Sequence, residues 1–267
     1  MILPSVDMTS LTLAIAAALA YAAPAVAAPN LSQSAKRNVA LLAWVLHALA
    51  LAWGLFGGAP RFGFAPALSV TAWLVAAVYA VERQVYPQLQ TRWTLNALGA
   101  IAVLLALAFP GSLLHPTASL WLPLHWALGI ASYGLFGVAV AHAWFMTQAE
   151  KRIRLGDDSH SGIPLFTLER LMFRFVGAGF VLLSATILVV WLFGEQLYGA
   201  HVPWRWDHKT IFSLLSWLTF AILLLGRARF GWRGRAAVRV LNLGAGLLLL
   251  AYVGSRFVIE IILGRTV

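Results

Sequence analysis

The sequence predicts an all-α membrane protein, a bundle of about eight transmembrane helices with both termini on the outer, periplasmic side. Hydrophobic residues make up 61% of the 267 residues, only 10% are charged, and the mean hydropathy is +0.83. A chain this apolar has too little polar surface to cover a water-soluble domain of this length. We therefore expect one multi-pass domain, residues 1–267, in a bacterial inner membrane.

Eight apolar segments, separated by short polar loops, carry this prediction. A helix needs about 20 apolar residues to cross the hydrocarbon core. The predicted spans are residues 9–28, 38–58, 67–81, 93–113, 122–147, 174–195, 210–226 and 237–263. The third span is the shortest. An even number of spans places both termini on the same side of the membrane.

The basic residues are concentrated in alternate loops, and this sets the orientation, because short cytoplasmic loops are rich in Lys and Arg. These loops hold most of the 19 basic residues. They are Lys36, Arg37, Arg83, Arg92, Lys151, Arg152, Arg154, Arg170, Arg174, Arg227, Arg229, Arg233, Arg235 and Arg239. Both termini therefore face outward. Topology accounts for the net charge of +10, so no nucleic-acid partner is needed to explain it.

Two segments raise a further question: whether the first apolar segment is retained, and whether the longest inner loop contains a helix. The apolar run that ends at Ala28 resembles a cleavable signal peptide. The residues before it include Asp7 but no Lys or Arg, which favours a retained first helix. Residues 163–173, in the longest inner loop, alternate apolar and charged side chains at helical spacing. This spacing predicts an amphipathic helix that lies on the inner membrane surface.

The absence of cysteine excludes whole classes of site. Disulfides, cysteine-ligated iron–sulfur clusters and covalent haem attachment to this chain all require that residue. The sequence also lacks a phosphate-binding loop, a nucleophile elbow, a zinc-protease motif and a dinucleotide fingerprint. We therefore expect a protein that is not an enzyme and that binds any metal through histidine, methionine or oxygen.

The polar segment just before the seventh span is a candidate binding site, here called the tryptophan lip. It consists of Trp204, Arg205, Trp206, Asp207, His208 and Lys209. Two indoles beside a carboxylate, an imidazole and cations suit a flat, partly apolar ligand at the water interface, and haem is such a ligand. Tryptophan is also enriched at membrane interfaces for solvation reasons alone, and that alternative stays open.

Two histidines lie at the outer ends of different spans. His125 opens the fifth span, where Gly129 and Ser132 would let a flat ligand approach closely, and His208 opens the seventh. Two imidazoles at one depth could supply both axial ligands of a haem iron. The alternative for each is an interfacial histidine bonded to water.

Two further histidines fall inside spans. His47 lies near mid-membrane, where an ionisable side chain is a functional candidate by default. The alternative is a neutral imidazole bonded to a neighbouring helix. His142 lies toward the inner end of the fifth span, about 25 Å along the helix from His125, and is either a second haem ligand or a buried histidine. His115, His160 and His201 fall in loops.

The tryptophan lip and the start of the fifth span resemble segments of CcsA-type cytochrome c assembly proteins. Trp206-Asp207-His208-Lys209, followed by Trp217, is similar to the end of that family's tryptophan-rich signature. Leu124-His125 with Ser132-Tyr133 is similar to a family helix whose histidine is taken to be an external haem ligand. The resemblance implies that His125 and His208 are haem ligands and that His47 is a candidate for a transmembrane site.

A closer resemblance, over nearly the whole chain, is to the small YpjD-like, HemX-like inner-membrane branch. The matching segments are residues 167–173, 208–209, 214–217, 231–235 and 251–256. This resemblance implies an eight-helix protein that is tied to haem, with b-type haem as the non-covalent cofactor.

Our leading hypothesis is a haem-binding or haem-handling membrane protein in which His125 and His208 ligate iron at the outer face. Trp204, Trp206 and Trp217 would pack the ring, Asp207 would orient a histidine, and Lys209 or Arg205 would pair with the propionates. Its partners would be haem, other cytochrome assembly proteins and the lipid bilayer.

Two alternatives remain open. One is a membrane scaffold or regulator that has lost haem and binds anionic lipid or a partner through its basic loops. The other is a small-solute transporter, in which His47 and His142 would be gating or proton-relay groups.

Overall fold

The computed structural model describes residues 7–26, 32–57, 61–85, 93–113, 121–155, 164–198 and 207–262. Eight long helices follow one another along these residues. They are α1 (Met8–Val26), α2 (Gln33–Phe56), α3 (Phe64–Val85), α4 (Trp93–Ala108), α5 (Trp121–Arg154), α6 (Leu165–Tyr198), α7 (His208–Phe230) and α8 (Gly234–Leu249). After α8 the chain stays helical through a π segment (Leu250–Gly254), the short α9 (Ser255–Phe257) and a second π segment (Val258–Ile262).

The predicted all-α membrane bundle is confirmed. Among the described residues, six helical segments are long and apolar enough to cross a membrane: α2, α3, α5, α6, α7 and the run from α8 through α9, Gly234–Phe257. The apolar parts of α1 and α4 are shorter, while α3 has 22 residues and exceeds its predicted span. The orientation of the termini stays a prediction.

The segment of the predicted surface helix, residues 163–173, is continuous with the following span, because α6 runs unbroken from Leu165 through it. Its position on the membrane surface stays a prediction. Leu168, Met172 and Val176 are all buried at a spacing of four residues, so one apolar stripe continues into the predicted span. The backbone of α6 leaves helical geometry only at Phe193, with φ −122° and ψ 20°.

The chain forms two compact units. Unit 1 comprises residues 1–80, 90–115 and 256–267, and unit 2 comprises residues 81–89 and 116–255. The assignment of all 267 residues to one domain stays a prediction.

Unit 1 has a core of small side chains, in which α1 packs against α2 and α4. Its buried members are Ala14, Ala17, Tyr21, Ala43 and Val103. Two short strands, β1 (Arg61–Phe62) and β2 (Ser112–Leu113), pair antiparallel with Arg61 opposite Leu113. The turn into β2 requires glycine, because Gly111 has φ +82° and a Cβ there would overlap the Phe62 carbonyl.

A tryptophan pair joins α2 to α3 within unit 1. The indole rings of Trp44 and Trp73 stack with centroids 4.7 Å apart and planes 12° from parallel. Nε1–H of Trp44 donates to the Trp73 carbonyl at 3.3 Å, and Nε1–H of Trp73 donates to the Trp44 carbonyl at 3.1 Å. The stacking and the two hydrogen bonds hold the helices at one register.

Unit 2 contains the larger apolar core. Its buried residues are Phe136, Ala139, Ala143, Met172, Val176, Leu183, Phe220, Leu223, Ala237, Leu241 and Leu248. At its centre, Phe136 of α5 and Phe220 of α7 stack with centroids 3.8 Å apart and planes 5° from parallel. Gly179 lies beside Phe136 and Gly244 beside Phe220, which makes room for the stacked rings.

Candidate functional site

Contacts with α8 show that α5 and α7 run in the same direction through unit 2. On α5, the Tyr133 hydroxyl donates to the Leu248 carbonyl, and Glu150 lies 3.6 Å from Arg235. On α7, the Ser216 hydroxyl donates to the Gly244 carbonyl at 2.8 Å. Further along α7, Gly226 lies against the indole of Trp232, which comes just before the start of α8. Both helices are therefore antiparallel to α8 and parallel to each other.

This arrangement puts His125 and His208 at the same end of unit 2. His125 precedes Phe136 by eleven residues, and His208 precedes Phe220 by twelve. At 1.5 Å per residue, the two histidines lie about 16 Å and about 18 Å along their helices from the stacked rings. Their levels along parallel helices thus agree to within about one turn.

The His125 ring is half-buried and retains an unused nitrogen. Its Nδ1 is buried and has no hydrogen-bond partner among the described residues. The backbone of Thr186 in α6 lies beside the ring. Because buried polar atoms are normally hydrogen-bonded, this nitrogen points to a ligand.

The surface of α5 next to His125 is made of small groups. A Cβ on Gly129, one turn further along, would meet only the Thr186 Cγ2 at 3.8 Å. The hydroxyl of Ser132 turns back to its own helix and donates to the Gly129 carbonyl at 2.7 Å. The face therefore presents little side-chain bulk to a ligand.

An aromatic pair that the sequence analysis missed lies one turn before His125. Trp121 of α5 stacks on Phe193 of α6 with centroids 3.6 Å apart and planes 8° from parallel. The spacing of four residues between Trp121 and His125 places both on one helix face and is the signal that could have identified Trp121. Nothing in the sequence marks Phe193 as its partner.

Asp207 is the N-cap of α7. It has extended backbone geometry, and its Oδ1 accepts the Thr210 amide at 2.9 Å and the Thr210 hydroxyl at 3.0 Å. This contact satisfies an amide that would otherwise lack a helical partner. His208 is the exposed first residue of α7, and Lys209 is half-buried. Trp204, Arg205 and Trp206 lie outside the described residues.

Trp217 lies deeper in unit 2 than the tryptophan lip. It follows His208 by nine residues, about 13 Å along α7. Its Nε1–H donates to the Ser184 hydroxyl at 2.8 Å, and its ring stacks on Phe180 at a centroid distance of 5.4 Å. These contacts place Trp217 in the packing of α6 on α7, and its role in covering a ligand stays a prediction.

His47 belongs to unit 1, where it is fully buried with 0% exposure. Its Nδ1 lies 3.2 Å from the Tyr21 hydroxyl and its Nε2 lies 2.8 Å from the Ser69 hydroxyl. The ring also lines a cavity of about 300 Å³ that Asp7 and Arg61 border. With both nitrogens paired, this environment fits the alternative of an imidazole bonded to neighbouring helices.

His142 is buried in unit 2 and pairs with a residue that the sequence analysis did not single out. Its Nε2 lies 3.0 Å from Oε2 of Glu82, near the end of α3. The only signal for Glu82 in the sequence is that a carboxylate directly follows the third predicted span, residues 67–81. His115, His160 and His201 lie outside the described residues.

The described residues contain no group of three or more His, Asp or Glu side chains that could hold a metal ion. A site within this part of the chain would therefore have at most two such ligands. Two protein ligands suffice for haem, because the macrocycle supplies the other four.

Comparison with known proteins identifies the family. The model of the cytochrome c assembly protein family matches residues 35–263, which is most of the chain. The chain belongs to the cytochrome c assembly protein family. Since the matched region runs from α2 to the end of the described residues, it includes both His125 and His208.

Three relatives show how far the similarity of this cytochrome c assembly family member extends. An uncharacterized 28.8 kDa protein of Azospirillum brasilense is 30% identical over 80% of this chain and 82% of its own length. The cytochrome c biogenesis protein CcsA of Synechococcus elongatus is 30% identical over 46% of this chain and 34% of its own length. The inner membrane protein YpjD of Escherichia coli is 30% identical over 55% of this chain and 56% of its own length.

The chain thus spans about a third of the CcsA relative and about half of YpjD. No solved structure matches this chain. Together with the six apolar helices, the relatives show a multi-pass inner-membrane protein, and the predicted resemblance to CcsA and YpjD is confirmed.

Proposed function

We propose that this protein handles haem during cytochrome c assembly and binds b-type haem non-covalently at the predicted outer end of unit 2. His125 and His208 would be the axial ligands. Family membership supports the pathway. The observation that carries the site is the buried Nδ1 of His125, which has no hydrogen-bond partner in the described part of the chain and lies at the same level as an exposed histidine on a parallel helix.

The residues present fit the chemistry of haem. An imidazole nitrogen without a hydrogen-bond partner can donate its lone pair to iron, and bis-imidazole ligation needs one such ring from each of two helices. The Thr186 backbone beside the His125 ring can accept a ring N–H, which would fix the tautomer. Bound haem would supply the redox-active iron porphyrin that a c-type cytochrome receives.

The neighbouring residues would position the ligands and cover the ring. Capping by Asp207 fixes the first turn of α7 and with it the backbone of His208. The Trp121–Phe193 pair offers a flat apolar wall one turn before His125. Trp204 and Trp206 would add indole surface, while Lys209 and Arg205 would neutralise propionates.

His47 takes second place as a ligand because both of its nitrogens already have hydroxyl partners. Ligation there would require the loss of the hydrogen bond to Tyr21 or to Ser69. Leaving one of these hydroxyls without its partner costs about 1–3 kcal/mol. Ligation by Nδ1 of His125, which has no hydrogen-bond partner among the described residues, breaks no such bond.

The decisive experiment measures haem in the purified protein after expression with supplied haem. We expect a pyridine-haemochrome spectrum of b-type haem in wild-type protein and its loss in His125→Ala and His208→Ala. His160→Ala, in the predicted inner loop, is the matched control and should retain haem. Size-exclusion chromatography and circular dichroism establish that each variant is folded.

Three results would contradict parts of this proposal. Folded wild-type protein without haem would favour a scaffold that has lost the cofactor. Haem that is lost only in His47→Ala would move the site to unit 1. Haem that persists in both His125→Ala and His208→Ala would remove these residues from the ligand set.

A further inference from the structure

Unit 1 contains a partly open cavity beside His47, and the proposed haem site does not use it. Its volume of about 300 Å³ is at the lower end of the range for small-molecule sites. Along α2, the cavity is lined by His47, Ala50 and Gly54. These positions are three or four residues apart, so they share one helix face over about 10 Å. The cavity therefore has room for a small ring system.

The side chains of Tyr21, His47 and Ser69 contain one more hydrogen than their two contacts use. The Tyr21 hydroxyl lies 3.2 Å from Nδ1 of His47, and the Ser69 hydroxyl lies 2.8 Å from Nε2. His47 is fully buried and, in the described part of the chain, bonded only to these hydroxyls, which favours a neutral ring.

A neutral imidazole has one N–H, and each hydroxyl has one O–H, so three hydrogens serve two hydrogen bonds. The imidazole N–H donates to one hydroxyl, and the other hydroxyl donates to the bare ring nitrogen. The hydroxyl that accepts therefore keeps a spare hydrogen, which needs an acceptor elsewhere.

The surroundings of the two hydroxyls place this spare hydrogen on Ser69. Both residues are buried, with exposed fractions of 3% for Tyr21 and 1% for Ser69, but of the two only Ser69 lines the cavity. The Tyr21 ring is packed against Gly99 of α4, where a Cβ would lie 2.8 Å from its Cζ. A spare hydrogen on Tyr21 would stay unsatisfied, whereas one on Ser69 can reach an acceptor inside the cavity. The imidazole hydrogen is then on Nε2.

The rest of the wall selects for an uncharged, flat molecule. Among the described residues that line the cavity, the acidic and basic ones are Asp7 and Arg61, whose charges are opposite. Asp7 accepts Nε1–H of Trp53 at 2.7 Å, and Arg61 donates to the Gly111 carbonyl at 3.4 Å. A charged ligand would lie near one charge of its own sign. The aromatic rings of Trp53 and Phe62, which also line the cavity, offer flat apolar surface.

We propose that this cavity binds an uncharged, ring-containing carbonyl compound from the membrane, of the quinone or aromatic ketone class. Its carbonyl oxygen accepts the hydroxyl hydrogen of Ser69. His47 holds that hydroxyl in place through Nε2–H, and Tyr21 fixes the tautomer by donating to Nδ1. This role is distinct from iron ligation, because neither nitrogen of His47 then has a lone pair to give.

The test uses benzophenone, an uncharged aromatic ketone, to photolabel the full-length protein in lipid nanodiscs. On illumination, its carbonyl oxygen takes a hydrogen from a nearby C–H group and its carbonyl carbon bonds to that carbon. Mass spectrometry of the labelled peptides therefore locates the carbonyl group. We expect saturable labelling at residues that line the cavity, such as Val70 and Val103.

A matched pair of variants ties the labelling to the cavity. Ala50→Leu adds side-chain volume to the wall without altering Tyr21, His47 or Ser69, and should abolish the saturable labelling. Ala52→Leu, at an exposed position of the same helix that does not line this cavity, should leave the labelling unchanged.

Competition between two molecules of similar size isolates the hydrogen bond. Naphthoquinone has carbonyl oxygens and naphthalene has none. At equal concentration in the lipid, naphthoquinone should displace benzophenone about 2- to 10-fold more strongly, which is the effect of one hydrogen bond. The triple variant Tyr21→Phe, His47→Leu and Ser69→Ala, which removes the donors together, should lose this preference.

Three results would overturn the proposal. Labelling that is confined to lipid-facing residues and unaffected by Ala50→Leu would mean that the cavity holds only water. Equal competition by naphthalene and naphthoquinone would mean that no carbonyl group is recognised. An Nδ1–H tautomer of His47, measured by ¹⁵N NMR of histidine-labelled protein, would place the spare hydrogen on Tyr21 and away from the cavity. The last two measurements use wild-type protein, so they decide the matter even if Ala50→Leu does not fold.

Discussion

Unit 1 and unit 2 both pack helices against one another, but their buried cores are built from different side chains. The buried core of unit 1 is built mainly from alanine with one tyrosine and one valine. In unit 2, phenylalanine, methionine and leucine fill the space between 34-residue helices. Small residues let helix backbones approach closely, but they leave less side-chain volume to fill irregular gaps.

The difference is visible in what each unit encloses. Unit 1 contains a cavity of about 300 Å³ with the fully buried His47 in its wall. The centre of unit 2 is occupied by the stacked rings of Phe136 and Phe220. The comparison shows that aromatic rings fill the centre of unit 2, whereas small side chains in unit 1 leave a partly open cavity beside His47.

The largest expected effect comes from removing a stacked ring. Phe220→Ala should destabilise unit 2 by about 3–5 kcal/mol, because it deletes a fully buried aromatic side chain from a filled core. The chain has no cysteine, so an Ala139→Cys substitution provides a clean reporter. Thiol labelling at this buried position should accelerate in the Phe220→Ala background.

The matched reporter for this prediction is Ala17→Cys in unit 1, which is equally buried. Its labelling should accelerate less than that at position 139. Equal acceleration at both positions would show that the two cores open together, and the contrast between the units would fail.

A smaller effect is expected when the same core is overfilled. Gly244→Ala would place a Cβ 2.7 Å from the Phe220 ring, and should cost about 1–3 kcal/mol in the free energy of unfolding. Gly246→Ala, two residues away with no atom within 4 Å of its Cβ position, is the control and should be neutral or slightly stabilising. Thermal unfolding in detergent compares the two. Similar losses in both would refute tight packing at Gly244.

A comparable loss is expected in unit 1 from a polar cause. His47→Leu removes the partner of the Tyr21 and Ser69 hydroxyls and should cost about 1–3 kcal/mol. Adding Tyr21→Phe and Ser69→Ala to His47→Leu should restore part of that loss, since no buried hydroxyl then lacks its partner. Thermal unfolding of the single and triple variants measures this, and a triple variant less stable than the single one would argue against the hydrogen bonds as the cause.

The smallest expected effect concerns the start of α7. Asp207→Ala should cost about 1 kcal/mol through loss of the helix cap, while Asp207→Asn should retain most of the stability because asparagine also caps. Hydrogen exchange at the Thr210 amide reports the cap directly. If Asn behaves like Ala, the negative charge of Asp207 matters more than its hydrogen bond.

Hydropathy predicted most of the helices because every membrane-spanning helix needs about 20 mostly apolar residues. It also placed His125 and His208 at the same ends of their helices, since both follow a polar loop. It did not predict that α6 begins as early as Leu165, because Glu169 and the neighbouring arginines were interpreted as a surface pattern. In the structure Glu169 is buried and lies 2.8 Å from Arg227, so the ion pair replaces the water that the interpretation required.

The contacts that the sequence did not predict are those between residues far apart in the chain. Glu82 and His142, the aromatic rings of Trp121 and Phe193, and the strand pair β1–β2 depend on which helices become neighbours. Periodicity describes one helix at a time and carries no information on such choices. The cap at Asp207 is of another kind, because its partner is only three residues away and the capping pattern is local. The sequence analysis nevertheless assigned Asp207 only to orienting a histidine and did not predict the cap.

The Trp44–Trp73 pair gives unit 1 an optical signature of its own. Two indoles stacked at 4.7 Å and nearly parallel should couple their electronic transitions and quench one another, unlike isolated tryptophans in a chain that has 12. The near-ultraviolet dichroism of the protein should therefore contain a couplet that disappears with either ring. That signal would follow the docking of α2 on α3 in real time, without any label.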